Sequence, residues 1–102
     1  MTQRYCYLNG EILPFENASI GINDLGLLRG YSAFDYMRTY NGRPFRLKDH
    51  MARFRNSAAT LLLPVTLSDE KISGIIDELL SRSNMVDAGI RFILTGGYSP
   101  DA

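Results

Sequence analysis

Arginine side chains are the first candidates for chemistry in this sequence. Nine of its 11 basic residues are arginine and two are lysine, and a planar guanidinium binds carboxylates and phosphates in a fixed geometry. Helical spacing places Arg53 beside an apolar stripe, on a strip that it shares with His50 and Ser57. Three polar groups on such a strip can bind an anion, for instance a phosphate. An arginine that extends over a packed helix has the same spacing and is the commoner case.

A second candidate set lies on a segment in which apolar and polar residues alternate. The alternation places Phe34, Tyr36 and Arg38 on one face of a predicted strand. Two aromatic rings with an arginine can line a pocket that orients an organic acid. The alternative is one solvated face of a sheet, and the spacing alone leaves both open.

Arg91 is the third candidate, because it interrupts a segment that is otherwise apolar. A charge in such a strand is costly unless it is paired. We therefore expect Arg91 either to pair with a carboxylate, for which Asp35 is one choice, or to bind the carboxylate of a substrate.

The remaining reactive side chains give no complete catalytic set. Cys6 lies in a predicted strand with no adjacent base, and His50 has no nucleophile near it in sequence. Lys48 and Lys71 fall on the polar sides of predicted helices. With one cysteine and one histidine, an internal disulfide and metal sites built on paired cysteines or several histidines are excluded.

Length and charge narrow the classes of function further. The chain has 102 residues, room for one small domain, and its 11 basic and 11 acidic residues balance. Neither a nucleic acid nor a membrane is an expected partner, because no basic excess, signal peptide or long apolar run is present. A single thiol fits a reducing compartment, so a cytoplasmic location is expected.

Turn signals predict the strands that position these side chains. Asn-Gly pairs at 9–10 and 41–42 favour tight hairpins, because both central positions of such a turn need positive φ. The strands are expected over residues 5–8 with 11–13, and 32–40 with 43–46. A last strand over 90–95, apolar on both faces apart from Arg91, is expected in the centre of the sheet.

Helical periodicity predicts two amphipathic helices after these hairpins. The first covers residues 47–61 and precedes the helix breaker Pro64. The second follows Ser68, a plausible N-cap, and ends near Ser83. The element order predicts an α+β fold, a two-layer sandwich of a mostly antiparallel sheet with two helices on one face.

Residues 22–64 resemble the amino-terminal domain of class IV aminotransferases, the pyridoxal-phosphate enzymes of fold type IV. The motifs that carry the resemblance are DLGLLRGYSAFD and RLKDHMARF, in this order and spacing. The opening YLNGEILP and the closing IRFILTGGYSP extend it to most of the chain. It implies an amino-terminal domain over residues 1–96 and the start of an interdomain linker over 97–102. The family includes branched-chain aminotransferases, D-amino-acid aminotransferases and aminodeoxychorismate lyases.

The resemblance also implies roles for individual residues. In the family, the arginine of an H-x-x-R helix contacts the phosphate of the cofactor, and the matching arginine here is Arg53. Substrate-binding positions are implied for five residues: Arg29, Phe34, Tyr36, Arg38 and Arg91.

Four positions depart from the family's patterns. Tyr36 stands where branched-chain enzymes have a small residue, while Arg29 and Gly89 each stand where they have a tyrosine. Asp101 lies near the position of a loop arginine of the D-amino-acid enzymes. The resemblance therefore does not fix the substrate.

The implied activity is a pyridoxal 5'-phosphate-dependent transamination between an amino acid and a 2-oxo acid by a homodimer. The family's Schiff-base lysine lies in a second, carboxy-terminal domain, and neither Lys48 nor Lys71 matches it. We therefore expect no catalytic residue within these 102 residues and no activity from them alone. One alternative is an aminodeoxychorismate lyase, which pyruvate release would distinguish. The other is a non-catalytic dimerisation or binding module, which the reading frame after Ala102 would test.

Overall fold

The computed structural model describes residues 3–99 and confirms the α+β class. A single 3-10 turn, Phe15–Asn17, follows the first hairpin. The strands are β1 Tyr5–Leu8, β2 Glu11–Pro14, β3 Ser32–Tyr40, β4 Arg43–Pro44 and β5 Ala88–Thr95. The helices are α1 Leu25–Arg29, α2 Leu47–Thr60 and α3 Asp69–Ser83.

Both predicted hairpin turns form where the Asn-Gly pairs stand. Asn9 and Gly10 have φ values of 50° and 95°, and Asn41 and Gly42 have 52° and 76°. These left-handed values are the ones that a two-residue turn needs. The turns join β1 to β2 and β3 to β4 in antiparallel pairs.

The strands form two separate antiparallel sheets. One contains β1 and β2, and the other has the order β4-β3-β5. Among the described residues β5 pairs with β3 alone, so the expectation that it lies in the centre of the sheet is wrong. The prediction took apolar residues on both faces as a sign of burial on both faces, but the outward face is open, with Ile93 61% exposed.

The core lies between the β3–β5 sheet and the two long helices. Strand β3 points Ala33 and Met37 inward, and α2 and α3 supply most of the facing side chains. The buried apolar residues are Ala33, Met37, Met51, Phe54, Ala58, Ile72, Ile76, Leu80 and Ala88. The apolar stripes predicted for both helices therefore face this layer, with two helices on one side as expected.

Local signals begin and end α3. The Ser68 hydroxyl oxygen accepts a hydrogen bond from the backbone N–H of Lys71 at 3.1 Å, which confirms the predicted N-cap. Asn84, with φ of 53°, ends the helix in the left-handed conformation. Across residues 3–99, no helix combines the length and the apolar character needed to cross a membrane.

Replacing Ser68 with alanine is expected to lower the free energy of unfolding by about 1 kcal/mol. The first turn of α3 loses the acceptor for the Lys71 N–H. Urea denaturation followed by circular dichroism measures the change. Ser81→Ala, at an exposed position within the same helix, is the matched control and should change the value by less than about 0.5 kcal/mol. Equal losses in both variants would contradict the capping role.

Candidate functional site

A buried carboxylate on β3 organises the candidate site. Asp35 Oδ2 accepts a hydrogen bond from Arg53 Nε, and Asp35 Oδ1 accepts one from Arg53 Nη2, each at 2.7 Å. The Asp35 side chain is 2% exposed, whereas that of Arg53 is 65% exposed. The pair therefore runs from the interior to the surface, with the negative charge inside and the guanidinium outside.

His50 joins this pair from one helical turn before Arg53. Its Nδ1 lies 3.0 Å from Asp35 Oδ1 and 3.2 Å from Arg53 Nη2. With a hydrogen on Nδ1, the ring donates to Asp35 as a second side-chain donor. Of the three residues predicted to share a strip of α2, His50 and Arg53 therefore contact Asp35.

The neighbouring donors keep this carboxylate ionised. The hydrogen bonds from Arg53 hold the pKa of Asp35 far below its ordinary value, and bonds from His50 and the Tyr36 N–H act in the same direction. Burial acts in the opposite direction, with an effect smaller than that of the Arg53 bonds. Asp35 in turn raises the pKa of Arg53. Both groups are therefore charged at any physiological pH.

The cluster lies at an open edge of the sheet. Strand β4 pairs with only the last two residues of β3, so the earlier part of that edge has no neighbouring strand among the described residues. The N–H of Tyr36 instead donates to Asp35 Oδ1 at 2.7 Å. One carboxylate therefore holds both the guanidinium of Arg53 and the backbone that carries Tyr36.

This geometry leaves one side of the guanidinium free for a ligand. Asp35 takes Arg53 Nε and one hydrogen of Nη2. Arginine has five N–H donors in a planar fork, and Nη2 also lies 3.2 Å from His50 Nδ1, so the Nη1 pair is the part that points elsewhere. A fixed, exposed arrangement of parallel donors suits the oxygens of a phosphate.

The second candidate set lies on the open face of the same sheet. Phe34 is 70% exposed and Tyr36 is 45% exposed, and Arg38 shares their face by alternation. Arg91 is opposite Tyr36 in the register, and its guanidinium carbon lies 6.0 Å from the Tyr36 ring centroid. The structure thus brings Phe34, Tyr36, Arg38 and Arg91 together on one surface.

The pairing of Arg91 with Asp35 is wrong, and among residues 3–99 Arg91 forms no ion pair with another carboxylate either. Asp35 is opposite Phe92 in the register and points to the helices, whereas Arg91 points to the open face. Residues opposite each other in an antiparallel pair share a face. Arg91 is consequently left available for the other alternative, a substrate carboxylate.

Arg29 stands apart from both groups. It is the exposed last residue of α1, before the left-handed cap Gly30 with φ of 63°. Within residues 3–99, no hydrogen bond or ion pair connects Arg29 to the Asp35 cluster or to the open face.

Two residues that depart from the family's patterns depend on each other. The Tyr36 ring lies across Gly89, so a Cβ at position 89 would overlap the Tyr36 hydroxyl and lie 2.6 Å from its Cζ. The large residue on β3 therefore occupies the space above the small residue on β5. The sequence contains both departures, but only the register shows that they are neighbours.

Comparisons with known proteins identify the family. The family model for amino-transferase class IV matches residues 32–102, which is more than half of the chain.

The chain belongs to the class IV aminotransferases.

Individual relatives carry two different names. A Methanocaldococcus jannaschii protein named for branched-chain-amino-acid aminotransferase activity is 36% identical over 91 residues, covering 89% of this chain and 32% of that protein. A D-alanine aminotransferase of Staphylococcus epidermidis is 32% identical over 94 residues, covering 92% of this chain and 33% of the relative. The chain therefore spans about a third of the length of the curated relatives that it matches.

A solved structure shows the same fold. The T.th. branched-chain amino acid aminotransferase, complexed with N-(5'-phosphopyridoxyl)-L-glutamate, superposes with a TM-score of 0.86 at 28% identity. The match covers 97% of this chain and 35% of that structure.

The donor set of this class IV chain fits the phosphate part of a pyridoxal cofactor. The free side of the Arg53 guanidinium would provide the cation, and Asp35 fixes its orientation. The two lysines are less suited to the cofactor's aldehyde, because Lys48 and Lys71 are exposed on α2 and α3 and neither belongs to the Asp35 cluster or the open face.

Replacing Asp35 with asparagine is expected to flatten the acid side of the stability profile. The lowered pKa means that the unfolded state binds more protons than the folded state in acid. The contribution of Asp35 is complete above about pH 4 and is lost as pH falls from there towards the lowered pKa. Urea unfolding at pH values from about 2.5 to about 7 measures the change in the free energy of unfolding.

The control for this variant is Asp49→Asn, since Asp49 pairs with Arg46 while both side chains are 65% exposed. An exposed pair contributes little, so its profile should follow that of the wild type. A similar profile for Asp35→Asn would show that the buried pair does not govern acid stability.

Substitutions at Gly89 and Tyr36 are expected to be coupled. Gly89→Ala should lower the free energy of unfolding, because the new Cβ displaces the Tyr36 ring. In a Tyr36→Ala background the same change should be neutral or stabilising, since alanine restricts the unfolded chain more than glycine does. A double-mutant cycle should give a coupling of about 1 kcal/mol, and additive effects would rule out the contact.

Proposed function

We propose that these residues form the amino-terminal domain of a pyridoxal 5'-phosphate-dependent aminotransferase that moves an amino group between an amino acid and a 2-oxo acid. The observation that carries the proposal is the Asp35–Arg53 pair, which presents a fixed guanidinium edge to solvent. The proposed domain covers residues 1–96, with an interdomain linker starting at 97. The proposed protein is a cytoplasmic homodimer.

Arg53 is the proposed ligand of the cofactor phosphate. Asp35 and His50 restrict the rotation of its side chain, so less conformational entropy is lost when the phosphate binds. The bound cofactor would supply an electron sink for the carbon that loses or gains the amino group. The lysine that holds the cofactor is proposed to lie outside residues 3–99, because Lys48 and Lys71 are exposed on helices and neither side chain bonds to the Asp35 cluster.

The open face of β3 and β5 is the proposed substrate wall. Arg38 and Arg91 provide cations for a substrate carboxylate, and Phe34 and Tyr36 provide apolar surface for its side chain. Arg29, at the end of α1, is proposed as a further substrate contact from the loop side. We propose branched-chain amino acids as the substrates, following the names of the M. jannaschii relative and of the T.th. enzyme.

The direct experiment expresses the whole reading frame that contains these residues. Purified protein is incubated with 2-oxoglutarate and either L-leucine or D-alanine, and glutamate formation is followed. The proposal predicts transfer from L-leucine. Transfer from D-alanine alone would show that the substrate is D-alanine and not a branched-chain amino acid. Pyruvate release from aminodeoxychorismate without amino-group transfer would show that the enzyme is a lyase. A reading frame that ends here and has no activity would favour a binding module.

In that protein, Arg53→Gln is expected to weaken pyridoxal 5'-phosphate binding by about 10- to 100-fold, the equivalent of losing a hydrogen bond to a charged group. Pyridoxal without the phosphate should bind wild type and variant equally. Arg82→Gln is the matched control, since Arg82 forms an exposed pair with Glu78 on α3. If Arg53→Gln weakens the binding of pyridoxal and of pyridoxal 5'-phosphate equally, Arg53 does not bind the phosphate.

The 102-residue chain by itself is expected to show no transamination. Its two lysines are exposed on helices, and neither matches the family's Schiff-base position. Incubation with amino acids, 2-oxoglutarate and cofactor, with the visible absorbance recorded, checks this expectation. Turnover accompanied by a coenzyme-type band would contradict it.

A further inference from the structure

The short helix α1 contributes no buried side chain to the domain. It covers five residues, Leu25–Arg29, and none of them is buried. A helix of this length is not stable by itself in water. The position of α1 must therefore come from the hydrogen bonds that connect it to the rest of the domain.

Asp24, the N-cap of α1, provides one such connection. It is 4% exposed. Its Oδ1 accepts a hydrogen bond from the Gly26 N–H at 2.7 Å, and its Oδ2 accepts one from the Thr95 hydroxyl at 3.0 Å. Among residues 3–99 Asp24 forms no ion pair, so neutral donors satisfy this buried side chain. One carboxylate thus joins the start of α1 to the end of β5.

Backbone groups next to Asp24 and Thr95 strengthen the connection. The Leu25 N–H donates to the Gly97 carbonyl at 2.8 Å. The Gly97 N–H in turn donates to Thr95 Oγ1 at 3.1 Å, so the Thr95 hydroxyl both donates and accepts. We call Asp24, Thr95 and Gly97 the clamp, because together they bond the first turn of α1 to the end of β5.

Gly26 allows α1 to lie directly against Thr95. A Cβ at position 26 would stand 2.7 Å from Thr95 Cγ2 and 3.1 Å from Thr95 Cβ, which is closer than carbon atoms pack. A residue without a Cβ is required for this approach. The clamp therefore depends on a glycine in α1 as well as on its polar groups.

This contact places α1 at the border of the proposed substrate wall. Alternation along β5 puts Arg91, Ile93 and Thr95 on the same open face. Arg29 follows Gly26 by three residues, and helix residues with this spacing are neighbours within about 6 Å. The clamp therefore decides where Arg29 stands relative to the open face.

We propose that the clamp positions Arg29 for substrate binding, which makes Asp24 and Thr95 positioning residues of the proposed aminotransferase. The inference rests on the proposed function, in which Arg29 contacts the substrate. Asp24 and Thr95 act through Arg29, because an arginine on a fixed helix loses less conformational freedom when a ligand binds. Without the clamp, substrate binding weakens while the chemical step keeps its rate.

Thr95→Val tests the clamp in the protein expressed from the whole reading frame. Valine has nearly the shape of threonine but lacks the hydroxyl that bonds to Asp24 and Gly97. The Leu25 N–H keeps its own acceptor, so its amide exchange reports the hold on α1. Exchange at Leu25 should become at least about tenfold faster in Thr95→Val, because local opening becomes easier. Thr95→Ser keeps the hydroxyl and should restore the wild-type rate.

Steady-state kinetics of the same variants show whether the clamp acts through Arg29. The KM for the amino donor should rise by about fivefold in Thr95→Val, as for the loss of one hydrogen bond, with kcat unchanged. Thr95→Ser should restore the KM. In an Arg29→Gln background, Thr95→Val should raise the KM no further, because residues that act as a unit are not additive.

Gly26→Ala provides a second route to the same result and carries both measurements if Thr95→Val does not fold. The new Cβ displaces α1 from Thr95, so Leu25 exchange and the KM should rise as in Thr95→Val. Gly74→Ala is the matched control, because a Cβ at this exposed position of α3 meets open space. Its Leu25 exchange and KM should equal those of the wild type.

Three results would overturn the inference. They are unchanged Leu25 exchange in a folded Thr95→Val protein, faster exchange with an unchanged KM, and a KM increase that is as large in the Arg29→Gln background as in the wild type. A wild-type protein that transfers no amino group would instead refute the proposed function and with it the role of Arg29. Leu25 exchange would then show separately whether the clamp holds α1.

Discussion

The bond between the Asp35 carboxylate and the Arg53 guanidinium is the constraint on which the candidate site depends. A carboxylate that is 2% exposed needs a cation and several donors, because burial alone would neutralise it. The only guanidinium that reaches it in the described chain comes from α2. The bond therefore fixes α2 against β3 and fixes the orientation of the guanidinium at once. The guanidinium has an exposed edge because Arg53 must pair with the buried Asp35 from the surface. The N–H donors on that edge are the groups that bind an anion.

The same strand separates the two halves of the site. Its inward face carries Asp35 between Ala33 and Met37 in the core, and its outward face carries Phe34, Tyr36 and Arg38. The Tyr36 N–H bond to Asp35 connects them at the open edge. A ligand that reaches from the Arg53 edge to the outward face would contact an anion-binding group at one end and aromatic and cationic groups at the other. This is the division proposed above for a cofactor phosphate and a substrate acid.

Periodicity and turn chemistry predicted most of the fold. Asn-Gly turns, the Ser68 cap and the two apolar stripes are local signals, and the structure has each of them. The position of β5 was not predictable in this way, since an apolar segment can have the same composition at the centre of a sheet and at its edge. The implied roles of Arg53 and the outward-facing set remain proposals. The partner of Asp35 needed the register, which decides between Arg53 and Arg91. One signal was present, because Asp35 alternates with core residues and a buried acid requires a cation from the element packed above it.

The most direct test of this account measures how Asp35 affects discrimination between cofactor forms in the protein expressed from the whole reading frame. The ratio of the dissociation constants of pyridoxal and pyridoxal 5'-phosphate is determined for wild type and Asp35→Asn, with Asp49→Asn as the control. If Asp35 orients Arg53 towards the phosphate, the ratio should fall by about tenfold in Asp35→Asn, as for the loss of one charge-assisted hydrogen bond, and stay unchanged in the control. An unchanged ratio in a folded Asp35→Asn protein would contradict the claim that this carboxylate prepares the phosphate site.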